Sequence, residues 1–226
     1  MIERARKLVE ELMMNEDSGH GMGHINRVVN LAMEFAESES CDKEIVALGA
    51  LLHDVDDYKL FGNQNQEQLT NANIILDKIG ADEDTKKRVL EILSTMGYSK
   101  LLNGIRPTTI EGMIVSDADM CDAIGANCLI RTHKYSLKHG KEFFDKDLWP
   151  IEDMDAGKYT RKCADSAVCH IFEKVLKLKN LMMTEAGKLE AVERHNFTIN
   201  FLRQLFKEER VSDWEEYLDK YLEEIK

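Results

Sequence analysis

Apolar residues recur along the chain at three- and four-residue intervals, the spacing of helices buried on one face. Ile2, Ala5, Leu8, Val9, Leu12 and Met13 set that pattern and predict a helix over residues 2–15. The stretch Asp17-Ser18-Gly19-His20-Gly21-Met22-Gly23 interrupts it, since three glycines in five residues favour no regular element. A second helix is expected to open at His24 and to run to about Ser38. Asp42 is placed to N-cap a third, whose Ile45, Val46, Ala47, Leu48, Ala50, Leu51 and Leu52 leave almost no polar face. A helix that is apolar all round is a buried one. After a looser part at 61–65, the pattern predicts helices over 66–79 and 83–96 and a loop over 97–108. Another nearly all-apolar helix follows at about 109–135. Residues 138–158, rich in Gly, Asp, Phe and Trp, predict an ordered but irregular excursion. Three helices, near 159–179, 184–208 and 212–225, close the chain. Nothing alternates with a period of two, so the expected fold class is all-α.

Composition sharpens this picture in three ways. Two prolines in 226 residues suit helix throughout, and the length suffices for one sizeable core. Thirty basic against 42 acidic side chains give a net charge of −12, which disfavours nucleic acid as a partner. A small anion could still bind such a protein, given a local cation or a metal ion. The five cysteines are odd in number and form no C-x-x-C, so neither a disulfide framework nor a zinc knuckle is expected. The charged N-terminal stretch and the absence of 18 consecutive apolar residues predict a cytoplasmic protein with no membrane partner.

Chemistry is expected where acids and histidines interrupt buried helices. His53 and Asp54 follow directly on the apolar run Leu48-Gly49-Ala50-Leu51-Leu52. An ionised carboxylate buried there without a partner costs several kcal/mol or more. Asp117, Asp119 and Asp122 repeat the anomaly among Met113, Ile114, Val115, Ala118, Met120, Ala123 and Ile124. On helical spacing Gly112, Val115, Ser116, Asp119, Ala123 and Ala126 share a face of mostly small residues, along which a neighbouring helix can approach Asp119. Two histidines and two aspartates make a nitrogen and oxygen set suited to a divalent cation. Each of these residues alone is also what a helix cap or a buried hydrogen bond requires.

Their order along the chain goes further. His24, then His53-Asp54, then Asp119 resembles the H…HD…D signature of the HD superfamily. The local text agrees: His24-Ile25-Asn26-Arg27-Val28 is similar to the family's H-x-x-R-V helix start, and Ala50-Leu51-Leu52-His53-Asp54-Val55 to its A-L-L-H-D-I segment. The segment from Asp117 to Ala126 resembles D-A-D-x-L-D-A-I-G-A, and Thr184, Gly187, Lys188 and Arg194 match a T-x-x-G-K … R pattern. The resemblance covers roughly residues 17–208. It departs at Met120-Cys121, where Arg-Leu is the commoner text, and at His133, where an aromatic residue is more typical.

The resemblance implies a single HD-type helical bundle over 1–226, with the core at about 17–135 and a C-terminal helical extension at about 136–226. It implies one divalent metal ion (Mn²⁺, Mg²⁺, Co²⁺, Ni²⁺, Fe²⁺ or Zn²⁺) held by His24, His53, Asp54 and Asp119. The implied activity is metal-dependent phosphohydrolysis of a small phosphorylated metabolite, with a nucleotide the leading class. Asp57 is then the candidate general base and Asp56 its alternate, while His20, Arg27 and Lys59 are candidate substrate contacts. Arg131, Lys188 and Arg194 are more remote cations; on position alone all five cations are better explained as surface charges, and only Arg27 and Lys59 flank the motifs closely. No histidine occurs between residues 55 and 118, which favours a mononuclear site over the cyclic-dinucleotide and di-iron branches. His139, His170 and His195 are expected away from the site. Leu181-Met182-Met183 suits the core or a homodimer contact. Two other functions remain open on the same helices, a non-catalytic nucleotide-binding or regulatory module and a metal-dependent oxygenase.

Overall fold

The computed structural model describes residues 1–14, 21–151 and 166–225. The chain forms two compact units, residues 1–122 and 123–226. All regular structure among the described residues is helical, as the periodicity predicts.

The first unit comprises α1 (Ile2–Leu12), α2 (Met22–Ala36), α3 (Lys43–Leu52), α4 (Tyr58–Phe61), α5 (Asn63–Gln68), α6 (Thr70–Ile79), α7 (Glu83–Thr95), α8 (Tyr98–Leu102) and α9 (Ile110–Asp122). Its centre is α3, which packs against α1, α2, α7 and α9. Every residue from Ile45 to Leu52 is buried, which accounts for the missing polar face. Full burial of Leu48, Leu51 and Leu52 contributes about 1.5–3 kcal/mol each, offset by the entropy of ordering them. The helix starts where expected, since the Asp42 carboxylate accepts the N–H groups of Glu44 at 3.1 Å and Ile45 at 3.4 Å. Gly49 lets α3 approach its neighbours closely. A Cβ there would stand 3.2 Å from Cγ2 of Val115 on α9 and 3.5 Å from Ile92 on α7.

Three elements before residue 139 differ from the pattern reading. The helix expected over 66–79 begins earlier and breaks at Leu69, whose φ of 49° separates α5 from α6. The expected loop over 97–108 contains the short α8. The helix expected over 109–135 is two helices, because α9 ends at Asp122 and Gly125, with φ of 84°, precedes the next. Apolar residues continue across the break (Ala123 and Ile124), so periodicity alone does not reveal it.

The second unit comprises α10 (Ala126–Lys138), α11 (Ala167–Glu173), a 3₁₀ segment over Val175–Leu181, α12 (Glu185–Glu209) and α13 (Ser212–Glu224). The first seven residues of the helix expected near 159–179 lie outside the described residues, and the remainder is α11 followed by 3₁₀ turns. Residues 139–151 are irregular yet anchored, with Trp149 stacked on the buried Trp214 at 4.3 Å between ring centroids. Lys146 O accepts the Trp214 Nε1–H at 3.0 Å. Phe172 and Phe206 complete that aromatic core. Thr184 N-caps α12 by accepting the Gly187 N–H at 3.0 Å, and Lys188 pairs with Glu185. The T-x-x-G-K text is therefore a helix start. No helix among the described residues is long and apolar enough to cross a membrane.

Candidate metal centre

Three elements of the first unit deliver the cluster. His24 sits in the first turns of α2, on the face that also buries Ile25, Val28 and Val29. His53 is the C-cap of α3, where the helix runs out of apolar residues, and Asp54 follows in the turn. Asp119 stands near the end of α9. Nε2 of His24 lies 3.0 Å from Nε2 of His53. Asp54 Oδ2 lies 3.4 and 3.5 Å from these two nitrogens, and Asp119 Oδ1 lies 3.3 and 3.7 Å from them. One donor atom from each of His24, His53 and Asp119 falls within 4.8 Å of the others.

The separations among His24, His53 and Asp119 suit a coordination shell, while Asp54 approaches the two imidazoles from outside that mutually close group. Ligand atoms about 2.0–2.3 Å from a common centre stand about 2.8–3.8 Å apart in octahedral or tetrahedral geometry. The histidine hydrogen bonds point the same way. Nδ1 of His53 lies 2.8 Å from the carbonyl of Ala50, which can only accept, so Nδ1 carries the proton. Nδ1 of His24 lies 2.6 Å from Oδ2 of Asp122 and donates likewise. In the neutral rings both Nε2 atoms are then bare, and two lone pairs face each other at 3.0 Å. A cation between them resolves that repulsion. The donor set fits a borderline divalent metal ion.

Charge agrees with geometry. Arg27 balances Asp122, while Asp54 and Asp119 bring two further carboxylates to the imidazoles, matching the charge of a divalent ion. The side chains of His24 and His53 are 3% and 1% exposed, against 29% for Asp119. The cluster is thus closed on its imidazole side and open at Asp119, where water or substrate can approach.

The remaining sequence candidates fall in different places. His20 lies outside the described residues, as does the side chain of Lys59. The guanidinium of Arg27 faces Asp122, donating from Nε at 2.7 Å and from Nη2 at 2.9 Å. Asp56 has both oxygens on backbone amides, accepting from Asn71 N at 2.8 Å and Ala72 N at 2.9 Å, so it caps the first turn of α6. Burial pushes its carboxyl up, against those amide bonds. Asp57 is half-buried at the start of α4, in the same turn as Asp54. Arg194 pairs with Glu190 along its own helix. Asp122, to which the sequence reading assigned no role, contacts His24 and Arg27, and its position as a buried acid three residues after Asp119 was a signal.

Known proteins resemble this chain in both sequence and structure. Residues 21–124, which span every residue of the cluster, match the HD domain family. The uncharacterized protein YpgQ of Bacillus subtilis is 33% identical over 91% of this chain and 92% of its own length. A protein from Lactobacillus plantarum superposes with a TM-score of 0.81 at 30% identity, over 93% of this chain and 97% of that one. An HD-superfamily hydrolase from Bacillus thuringiensis gives 0.71 at 31% identity over the same shares. YpgQ crystallised in complex with ADP gives 0.68 at 29%, over 92% and 97%. With the geometry of the cluster, the matched segment and full-length relatives in agreement, the chain belongs to the HD superfamily.

Proposed function

We propose that this protein hydrolyses a phosphate ester or phosphoanhydride bond in a small phosphorylated metabolite, with nucleotides the leading substrate class. The observation that carries it is the convergence of the two Nε2 atoms, 3.0 Å apart, with the carboxylates of Asp54 and Asp119 at a solvent-open edge. His24, His53, Asp54 and Asp119 would hold one divalent ion. Bound there, such an ion lowers the pKa of a coordinated water and neutralises phosphoryl oxygen, the two services phosphate hydrolysis needs.

The chain's own residues do the rest. His24 and His53 donate their Nδ1 protons away from the cluster, which keeps their Nε2 atoms directed into it. Asp119, at the open edge, leaves access for a phosphate on its side. Asp57, one turn after Asp54, is assigned as the base that takes the proton of the attacking water. Nucleotide chemistry is favoured by the full-length likeness to YpgQ, a protein crystallised in complex with ADP.

Metal analysis of the purified protein, followed by assays of nucleoside mono-, di- and triphosphates and simple phosphate esters with several divalent ions, tests the proposal. Metal-dependent release of phosphate or pyrophosphate is expected. Nucleotide binding without turnover under every ion would mark a non-catalytic module. Oxygen consumption with a substrate would mark an oxygenase.

A further inference from the structure

The two histidines of the cluster are anchored by different means. His53 donates to Ala50 O, a backbone carbonyl of its own helix, so α3 itself sets the ring. His24 donates to a side chain on another helix, Asp122, at 2.6 Å. A carboxylate free to rotate would be a poor anchor. Here the Arg27 fork grips both oxygens, Nε on Oδ1 at 2.7 Å and Nη2 on Oδ2 at 2.9 Å. Such a bidentate pair fixes the plane of the carboxylate as well as its place.

The arrangement repeats on both helices. On α2, His24 serves the cluster and Arg27, three residues on, faces Asp122. On α9, Asp119 serves the cluster and Asp122, three residues on, meets both His24 and Arg27. Residues at this spacing lie one turn apart on the same face. One layer supplies donor atoms, and the next layer braces it. Asp122 is 1% exposed and Arg27 36%, so the carboxylate is shielded from water while the guanidinium reaches the surface.

We infer that Asp122 and Arg27 form a positioning pair that holds His24 as its Nδ1–H tautomer with Nε2 aimed into the cluster, so that Arg27 braces the metal site and is not a substrate contact. The inference rests on the metal centre proposed above. Partners of this kind orient a ligating imidazole and are typically worth about 10–100-fold in metal affinity.

Two measurements test it, Mn²⁺ binding by calorimetry and the His24 tautomer by long-range ¹⁵N–¹H correlations in metal-free protein at alkaline pH. The parent is expected to show His24 protonated at Nδ1. Asp122→Asn keeps the shape but turns an amide NH₂ toward either His24 or Arg27, both of which donate. It should mix the tautomers and weaken Mn²⁺ binding by about 10–100-fold. Arg27→Leu should weaken it in the same sense, and Arg27→Lys should fall between, keeping the charge but losing the second arm of the fork. Circular dichroism checks that each variant stays helical. An Nε2–H tautomer in the parent overturns the inference. So does an Arg27→Lys protein with parental Mn²⁺ affinity and only a raised KM, which would return Arg27 to the substrate. Failure of the metal centre itself looks different, because the parent would then bind no Mn²⁺ while its tautomer stayed readable.

Discussion

Asp56 Oδ2 accepts the backbone N–H of Ala72 at 2.9 Å and so caps a helix that begins far along the chain. With Oδ1 on Asn71 N, the carboxylate satisfies two first-turn amides of α6, whose own N-cap position, Leu69, offers no side-chain acceptor. Loss of such a cap costs about 1–2 kcal/mol. Asp56→Ala should therefore lower the melting temperature by several degrees while Mn²⁺ affinity and the turnover of folded protein stay at parental values. Lost turnover with an unchanged melting temperature would place Asp56 in the reaction instead.

Asp119 is the open edge of the cluster, and its removal takes away one of three mutually close donor atoms. Asp119→Ala and Asp54→Ala are each expected to abolish Mn²⁺ binding and hydrolysis together while leaving the helical spectrum intact. Equilibrium dialysis against Mn²⁺ checks this. Parental affinity in either variant removes that residue from the ligand set.

Asp57 has a different expected signature. Asp57→Ala should retain metal and slow turnover by about 10²–10⁴, the usual contribution of a positioned acid or base. Steady-state kinetics at saturating metal decide it. Unchanged kcat would reduce Asp57 to a residue of the turn before α4.

His195 predicts a pH effect unrelated to the metal. It is 3% exposed on α12, its Nδ1 has no hydrogen-bond partner among the described residues, and burial, with Lys179 adding, pushes its pKa down to about 4. An unfolded histidine titrates near 6.5, so between pH 6.5 and about 4 the unfolded chain binds the extra proton. Stability should fall as pH falls through that window, by up to about 1.4 kcal/mol per pH unit from this group. Above it the neutral ring contributes no slope. Urea titrations of the parent and His195→Met at about pH 7 and about pH 5 separate this contribution from that of other groups. Equal losses of stability in both proteins would exclude His195 as its source.

Much of the first unit was legible in the sequence because local chemistry determined it. Asp42 caps α3 through amides two and three residues away, and the buried run behind it has no alternative face. The group of His24, His53 and Asp119 was legible through the order of these side chains along the chain. What could not be read depended on contacts distant in sequence. Asp56 resembled a second acid of a pair until α6 presented its amides. Asp122 looked like Asp117 and Asp119, all acids in an apolar helix, and only the placement of α2 separates a donor to the cluster from a brace behind it. Gly125 opens the second of two helices inside a continuous apolar pattern, where spacing carries no mark of a turn.

The stacked pair of Trp149 and Trp214 has an optical consequence. The chain holds only these two indoles, and both belong to residues 123–226. Their fluorescence is a private reporter of that half, whereas far-ultraviolet ellipticity sums helices from both. Melting curves recorded by emission and by ellipticity would coincide if the halves unfold as one and diverge if they do not. Added Mn²⁺ would shift the ellipticity curve alone in a protein whose halves melt independently.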